Sequence, residues 1–201
     1  MKKKIFMITL AACLVVLSIA GSSMAYFTDV DEKSTVFTAG NVDITLAFTD
    51  MSTTKLFPGQ TYASPAVITN EGSESAYVGA IITMTGTGLS NVVAAEGNTE
   101  IPVAITNLIK NLGAGAKVVA NGDTITVYVV NADPMAAPVD GNKATYTVFD
   151  TITIPASWNH EQVNYFTNAE ITVKAYATQT VGFNDAKTAL KAAFATDWAS
   201  Y

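Results

Sequence analysis

Arginine is absent from this 201-residue chain, and cysteine and histidine occur once each. Without arginine, and with 11 lysines against 17 acidic residues, the chain has no basic stripe able to displace counterions from phosphates, so no nucleic-acid partner is expected. One cysteine, Cys13, permits no intrachain disulfide, and one histidine supplies neither a second zinc imidazole nor a visible Ser-His-Asp arrangement. Charged residues make up only 14% of the chain, yet hydrophobic residues reach 49%, too many for a disordered polymer. The length suits one domain with its own core.

Long apolar runs are nearly absent too. The one that exists, Ile5 to Ala20, follows Lys2, Lys3 and Lys4 and precedes Gly21-Ser22-Ser23-Met24-Ala25. A positive start, an apolar middle and a small-residue exit are the order of an export signal. Its 16 residues fall short of the roughly 20 that cross a hydrocarbon core, so no membrane span is expected in the mature form. Ser23 and Ala25 fit the −3 and −1 subsites of a signal peptidase, which places cleavage after Ala25, with Tyr26 as the alternative last residue. Leu10-Ala11-Ala12-Cys13 resembles a lipobox, but the apolar run continues well past Cys13. Removal of residues 1–25 leaves 176 residues with eight lysines, 17 acids and no cysteine.

The remainder reads as strands. Val42, Ile44, Leu46 and Phe48 alternate with polar or small residues, as do Ile125, Val127 and Val129. Tyr146, Val148, Ile152 and Ile154 keep the rhythm except for a break at Asp150, and Ile171, Val173, Ala175 and Ala177 repeat it near the end. Ala76 to Met84 is apolar on both faces, which predicts a deeper strand. Phe57-Pro58-Gly59-Gln60 fits a type II turn, and Asn70-Glu71-Gly72, Asn121-Gly122 and Asp140-Gly141-Asn142 are further reversal points. Asn107 to Leu112 reads equally as a short helix or a loop. Asn184 as cap, with Leu190, Phe194 and Trp198 every four residues, predicts a C-terminal helix over about 184–198. The expected architecture is all-β: an antiparallel two-sheet sandwich spanning 40–201, with the short helix over an edge or end.

Several stretches resemble one family. Ala25-Tyr26-Phe27-Thr28-Asp29, then Phe37-Thr38-Ala39-Gly40-Asn41-Val42-Asp43-Ile44, is similar to the start of TasA/camelysin proteins. Leu56-Phe57-Pro58-Gly59-Gln60, Asn70-Glu71-Gly72-Ser73 and the final strand up to Ala177-Thr178-Gln179 resemble later motifs of that family, in the same order. The likeness is thin from about Leu89 to Val148. It implies a jelly-roll-like sandwich, export through a dedicated signal peptidase, and a place in extracellular fibres of a biofilm matrix or cell surface. It also implies that the N-terminal segment of one subunit adds as a strand to the next, alone or with an accessory fibre protein. Tyr26 to Ala39 suits that use: it lacks glycine and is polar apart from scattered apolar anchors at Phe27, Val30, Val36 and Phe37. The alternative is that this segment folds as a strand of its own domain.

Camelysin-type relatives have been regarded as metalloproteases, which raises the zinc question. His160-Glu161-Gln162-Val163-Asn164 has Asn where H-E-x-x-H needs its second ligand, and the stretch reads as a loop. Asp29, Asp31 and Glu32, or Asp140 with Asn142, fall short of a calcium loop's ligand pattern. No catalytic residue, metal ligand or cofactor is therefore assigned. Trp158, Tyr165 and Phe166 form an aromatic group that either stacks on a surface polysaccharide or packs into the core.

Overall fold

In the computed structural model of the chain, residues 28–31, 41–49, 55–91, 109–110 and 116–201 are described. Among the described residues nine strands form two antiparallel sheets. They are β1 (Thr28–Asp31), β2 (Ile44–Phe48), β3 (Thr61–Asn70), β4 (Ala76–Thr85), β5 (Ile109–Lys110), β6 (Lys117–Asn121), β7 (Thr124–Val130), β8 (Thr145–Thr153) and β9 (Glu170–Gln179). One sheet has the order β1-β9-β4-β7-β6 and the other β2-β3-β8-β5. Pairings nest: first strand with last, third with eighth, fourth with seventh, as when an antiparallel ribbon is rolled up. The all-β, jelly-roll-like sandwich expected from the alternation is the observed fold.

The alternation locates the core. Ile44, Ala66, Ile68, Val148 and Ile152 of one sheet meet Val78, Ala80, Ile82, Met84, Val127, Val173 and Ala175 of the other. β4 is buried on both faces, as its unbroken apolar run requires. The rhythm of β8 fails for a reason more specific than Asp150 alone. Ser64 and Pro65 of β3 stand opposite that single residue, and Val148 is then an unpaired extra on β8, so Val148 and Phe149 are both buried. These two compensating bulges also give Pro65, which has no N–H, a place in a central strand.

The turns behave as their residues dictate. Gly59 has φ +76°, and Gln60 N–H donates to the Phe57 carbonyl at 3.2 Å, closing the type II turn. Asp140 and Gly141 both have positive φ in the tight turn between Val139 and Asn142. The strands run between two ends. The near end carries residues 71–75, the 131–144 loop and the turn after Gln179; the far end carries the 57–60 turn, residues 86–91 and the Gly122-Asp123 hairpin.

Three expectations need correction. The His160 stretch is a helix, α1 (His160–Thr167), and not a loop. Asn159 caps it by accepting from Gln162 N–H at 3.0 Å, while the Gln162 side chain accepts from Asn159 N–H at 2.8 Å. The C-terminal helix, α2 (Ala186–Ala193), is shorter than 184–198, and its cap is Asp185 rather than Asn184. The Asp185 carboxylate accepts from the N–H and hydroxyl of Thr188, which holds its pKa below the ordinary Asp value. Thr196 and Asp197 are weak helix formers, and looser turns replace the last helical stretch. Finally, α2 covers the outer face of the five-stranded sheet over β4 and β9, not an edge or end. As for Asn107 to Leu112, Ile109 and Lys110 pair with β8 as a strand, and the remainder lies outside the described residues.

Candidate assembly interface

The N-terminal strand occupies an edge. Among the described residues β1 pairs with β9 alone, Thr28 opposite Thr178, Asp29 opposite Ala177, Val30 opposite Tyr176 and Asp31 opposite Ala175. The described strand is four residues long, whereas β9 pairs with β4 over all ten of its residues. β9 is thus paired along its full length on one side and carries β1 on the other. A sheet edge can be paired by any segment able to offer the same backbone ladder.

The outer face of β9 is backed by aromatic rings. Tyr176 meets Phe194 at a centroid distance of 5.0 Å and Trp198 at 5.7 Å, both edge to face. Trp198 also contacts Tyr128 and Tyr201. The Tyr176 hydroxyl donates to the Asp197 carboxylate at 3.2 Å. Glycine makes this fit possible: a Cβ on Gly79 would come within 2.7 Å of the Trp198 ring and 2.8 Å of Leu190. The row Leu190, Phe194, Trp198 therefore does lie on one side, although only Leu190 is within α2.

At the near end, the Asn70-Glu71-Gly72-Ser73 turn grips the root of β2. Asn70 is fully buried; its amide N–H groups donate to the Glu74 and Ala136 carbonyls, both at 3.0 Å, and its Oδ1 accepts from Gly72 N–H at 3.0 Å. Glu71 and Gly72 N–H both donate to the Asp43 carbonyl, and Asn41 bonds the Ser73 hydroxyl. Glu71 is ion-paired with Lys143. A Cβ on Gly72 would lie 2.1 Å from the Asn41 carbonyl oxygen and 2.7 Å from Asp43 N. Backbone cannot yield as a flexible side chain does. Gly72→Ala should therefore cost about 1–3 kcal/mol as an overpacking change, read from urea unfolding midpoints. A midpoint equal to that of the parent would show that Asn41–Asp43 is not held against this turn.

At the far end, the Asp123 carboxylate accepts from Gly88 N–H at 2.9 Å, Ser90 N–H at 3.1 Å and the Ser90 hydroxyl at 2.6 Å. The Ser90 hydroxyl, then the two amides, hold its pKa below the ordinary Asp value. It acts as a remote cap for the Gly88–Asn91 turn.

The residues named for metal or sugar chemistry take ordinary places. His160 is exposed at the first position of α1, with the amide Asn164 one turn later, and Glu161 accepts from the Tyr165 hydroxyl at 2.8 Å. A neutral amide and an engaged carboxylate do not fit a zinc protease's donor set. No group of three or more His, Cys, Asp or Glu side chains is gathered among the described residues. Asp29 and Asp31 lie in β1, and Asp140 and Asn142 belong to a tight turn. Trp158 and Phe166 are buried and packed edge to face at 5.9 Å, so they belong to the core and offer no stacking platform for a sugar.

Of the segment expected to assemble, the described backbone includes Val30, opposite Tyr176; Phe27, Val36 and Phe37 lie outside the described residues, as do Ser23, Ala25 and Tyr26. For residues 28–31 the pairing with β9 is the one expected of a segment that folds onto its own domain. Sequence reasoning did not identify β9 as the partner of β1 or the aromatic backing behind it; the four-residue spacing up to Trp198 was the available signal. No helix among the described residues is long and apolar enough to cross a membrane.

The family model for camelysin metallo-endopeptidase matches residues 1–100 of this chain. No curated protein and no solved structure matches it.

Proposed function

The chain belongs to the TasA/camelysin family, and from that premise we propose that it is a secreted structural subunit that polymerises by exchange of its N-terminal strand into matrix or surface fibres. Export removes residues 1–25 and frees Tyr26 as the start of the arm. In an isolated subunit, β1 lies on its own β9. In the fibre, the same residues of a neighbouring copy take that place, in the same register.

The observation that carries this reading is the four-residue edge pairing of β1 with β9. Each ladder hydrogen bond contributes roughly 0.5–1.5 kcal/mol net, so a strand this short is displaceable without unfolding the sandwich. Exchange replaces each lost contact by an identical one from another copy, which leaves concentration to decide between monomer and polymer. Donation from one copy to the next is heterologous, and a heterologous contact that does not close gives filaments. The partner is a second copy of this chain; an accessory fibre protein would use the same free edge at a filament terminus.

Deletion of Tyr26 to Ala39 should leave a folded sandwich with β9 uncovered that forms no fibres under the electron microscope at concentrations where the parent does. Fibres from the truncated protein would overturn the mechanism. The family description favours one competing reading, a surface metalloprotease. Casein digestion by the secreted protein, abolished by a chelator, would establish it.

A further inference from the structure

Leu89 is buried at the far end of the sandwich, in the same hydrophobic cluster as Trp158, Val163 and Phe166. It rides on the turn that follows β4, and the two sides of that turn are held differently. The entry is pinned by backbone: Gly86 N–H donates to the Asp123 carbonyl at 3.2 Å, and a Cβ on Gly86 would come within 2.7 Å of the Ala169 backbone. The residues on either side of Leu89 are held by a charge instead. One Asp123 carboxylate oxygen accepts from Gly88 N–H, and the other accepts from both the N–H and the hydroxyl of Ser90. Hydrogen bonds to an ionised acceptor are roughly twice as strong as neutral ones, and a proton on the carboxyl removes that advantage. From this geometry we propose that Asp123 is an acid-operated latch: ionised, it holds the Gly88–Ser90 turn shut with Leu89 in the core, and its protonation releases the turn while the two sheets stay folded.

The surrounding groups leave the switching to Asp123. The Tyr165 ring of α1 lies against Gly88, and its hydroxyl donates to Glu161, the neighbour of His160 in the first turn of α1. That bond raises the Tyr165 pKa, so the phenol stays neutral throughout the acid range. Glu170 starts β9 opposite Thr85. Hydrogen bonds from Ser90 and Gly88 hold the Asp123 carboxyl below its ordinary value, against a smaller opposing effect of burial. The sign follows. Above the ordinary Asp value the bonds favour the closed turn in full; as pH falls through the lowered value, the proton binds the open form better and closure weakens. β4 and β7 carry no carboxylate, so their ladder does not share this dependence.

Amide hydrogen exchange on the full chain tests the latch, with the β4 amides as reference for the intrinsic effect of pH. Asp123→Asn imitates the protonated acid. At neutral pH it should quicken exchange at Leu89 and Ser90 by about tenfold or more relative to β4, with β4 still protected. In the parent, the same two amides should lose protection on acidification before β4 does. Ser90→Ala removes the hydroxyl that lowers Asp123 most, so opening should move to higher pH, toward the ordinary Asp value. Full protection of Leu89 and Ser90 in Asp123→Asn would overturn the latch. So would an unmoved midpoint in Ser90→Ala, or loss of protection in the turn and in β4 at the same pH.

Discussion

Trp198→Ala should lose about 3–5 kcal/mol of folding stability, the range for truncating a buried large aromatic. The ring is fully buried among Tyr128, Tyr176 and Tyr201 and lies directly on the bare backbone of Gly79. Removing it leaves a cavity that the sheet cannot fill, because Gly79 has no side chain to offer. For a domain of this size each kcal/mol moves the melting midpoint by roughly 2–4 °C, so a fall of about 10 °C is expected by calorimetry. Trp198→Phe should retain much of the stability. The indole Nε1–H is buried without a hydrogen-bond partner among the described residues, so its removal relieves an unpaired donor while most of the ring contact survives. A loss below about 1 kcal/mol for the alanine variant would mean that the C-terminal residues do not back β9 as described.

That backing links the two termini. Trp198 and Phe194 hold Tyr176 from behind, and Tyr176 stands opposite Val30 in β1. A strand that must accept a partner from another molecule gains from being rigid beforehand, since an ordered acceptor leaves only the arm to be immobilised. Destabilising the C-terminal cover should therefore loosen β9 on the side where the arm docks.

The sandwich was legible in the sequence because half-burial writes a period of two into each strand, and β4, covered on both faces, wrote a continuous apolar run. The same logic placed the turns at Gly59 and Asp140-Gly141, where positive φ restricts the choice of residue. It failed where the signal lay elsewhere. α1 buries only Val163 and Phe166, too few for a periodic stripe, and its real mark was the Asn159/Gln162 capping box. Helix α2 was recognisable, but the spacing that extended it to Trp198 reflects a shared target, the face of β9, rather than continuous helix.

The interface was less legible than the fold. A sheet edge is defined by backbone groups common to every residue, so nothing in the side chains of β9 announces that its neighbour is the N-terminal strand. The Asn70-Glu71-Gly72-Ser73 motif was visible, but its task was not: the side-chain amide ties together two loops, and the glycine admits the Asn41 carbonyl to a space any Cβ would fill. It fixes Asn41 and Asp43 at the root of β2.

A disulfide between Thr28→Cys and Thr178→Cys should abolish polymerisation when formed in the monomer. These residues face each other across an antiparallel ladder, where Cα atoms lie roughly 4.5–5.5 Å apart, within the span a disulfide bridges. The native chain carries Cys13 alone, inside the segment whose removal on export is proposed, so a variant lacking that segment offers no competing thiol. Oxidised at low concentration, the protein should hold β1 on its own β9 and gain stability, by about 4–5 kcal/mol in the chain-entropy treatment of so long a loop. Fibres should then be absent until a reductant is added. Oxidation of fibres assembled beforehand should instead join neighbouring copies, giving a ladder of covalent multimers on a denaturing gel. Locked monomers that polymerise like the parent, or fibres that oxidise only to single-chain species, would show that β1 stays on its own molecule and that the fibre is held by other surfaces.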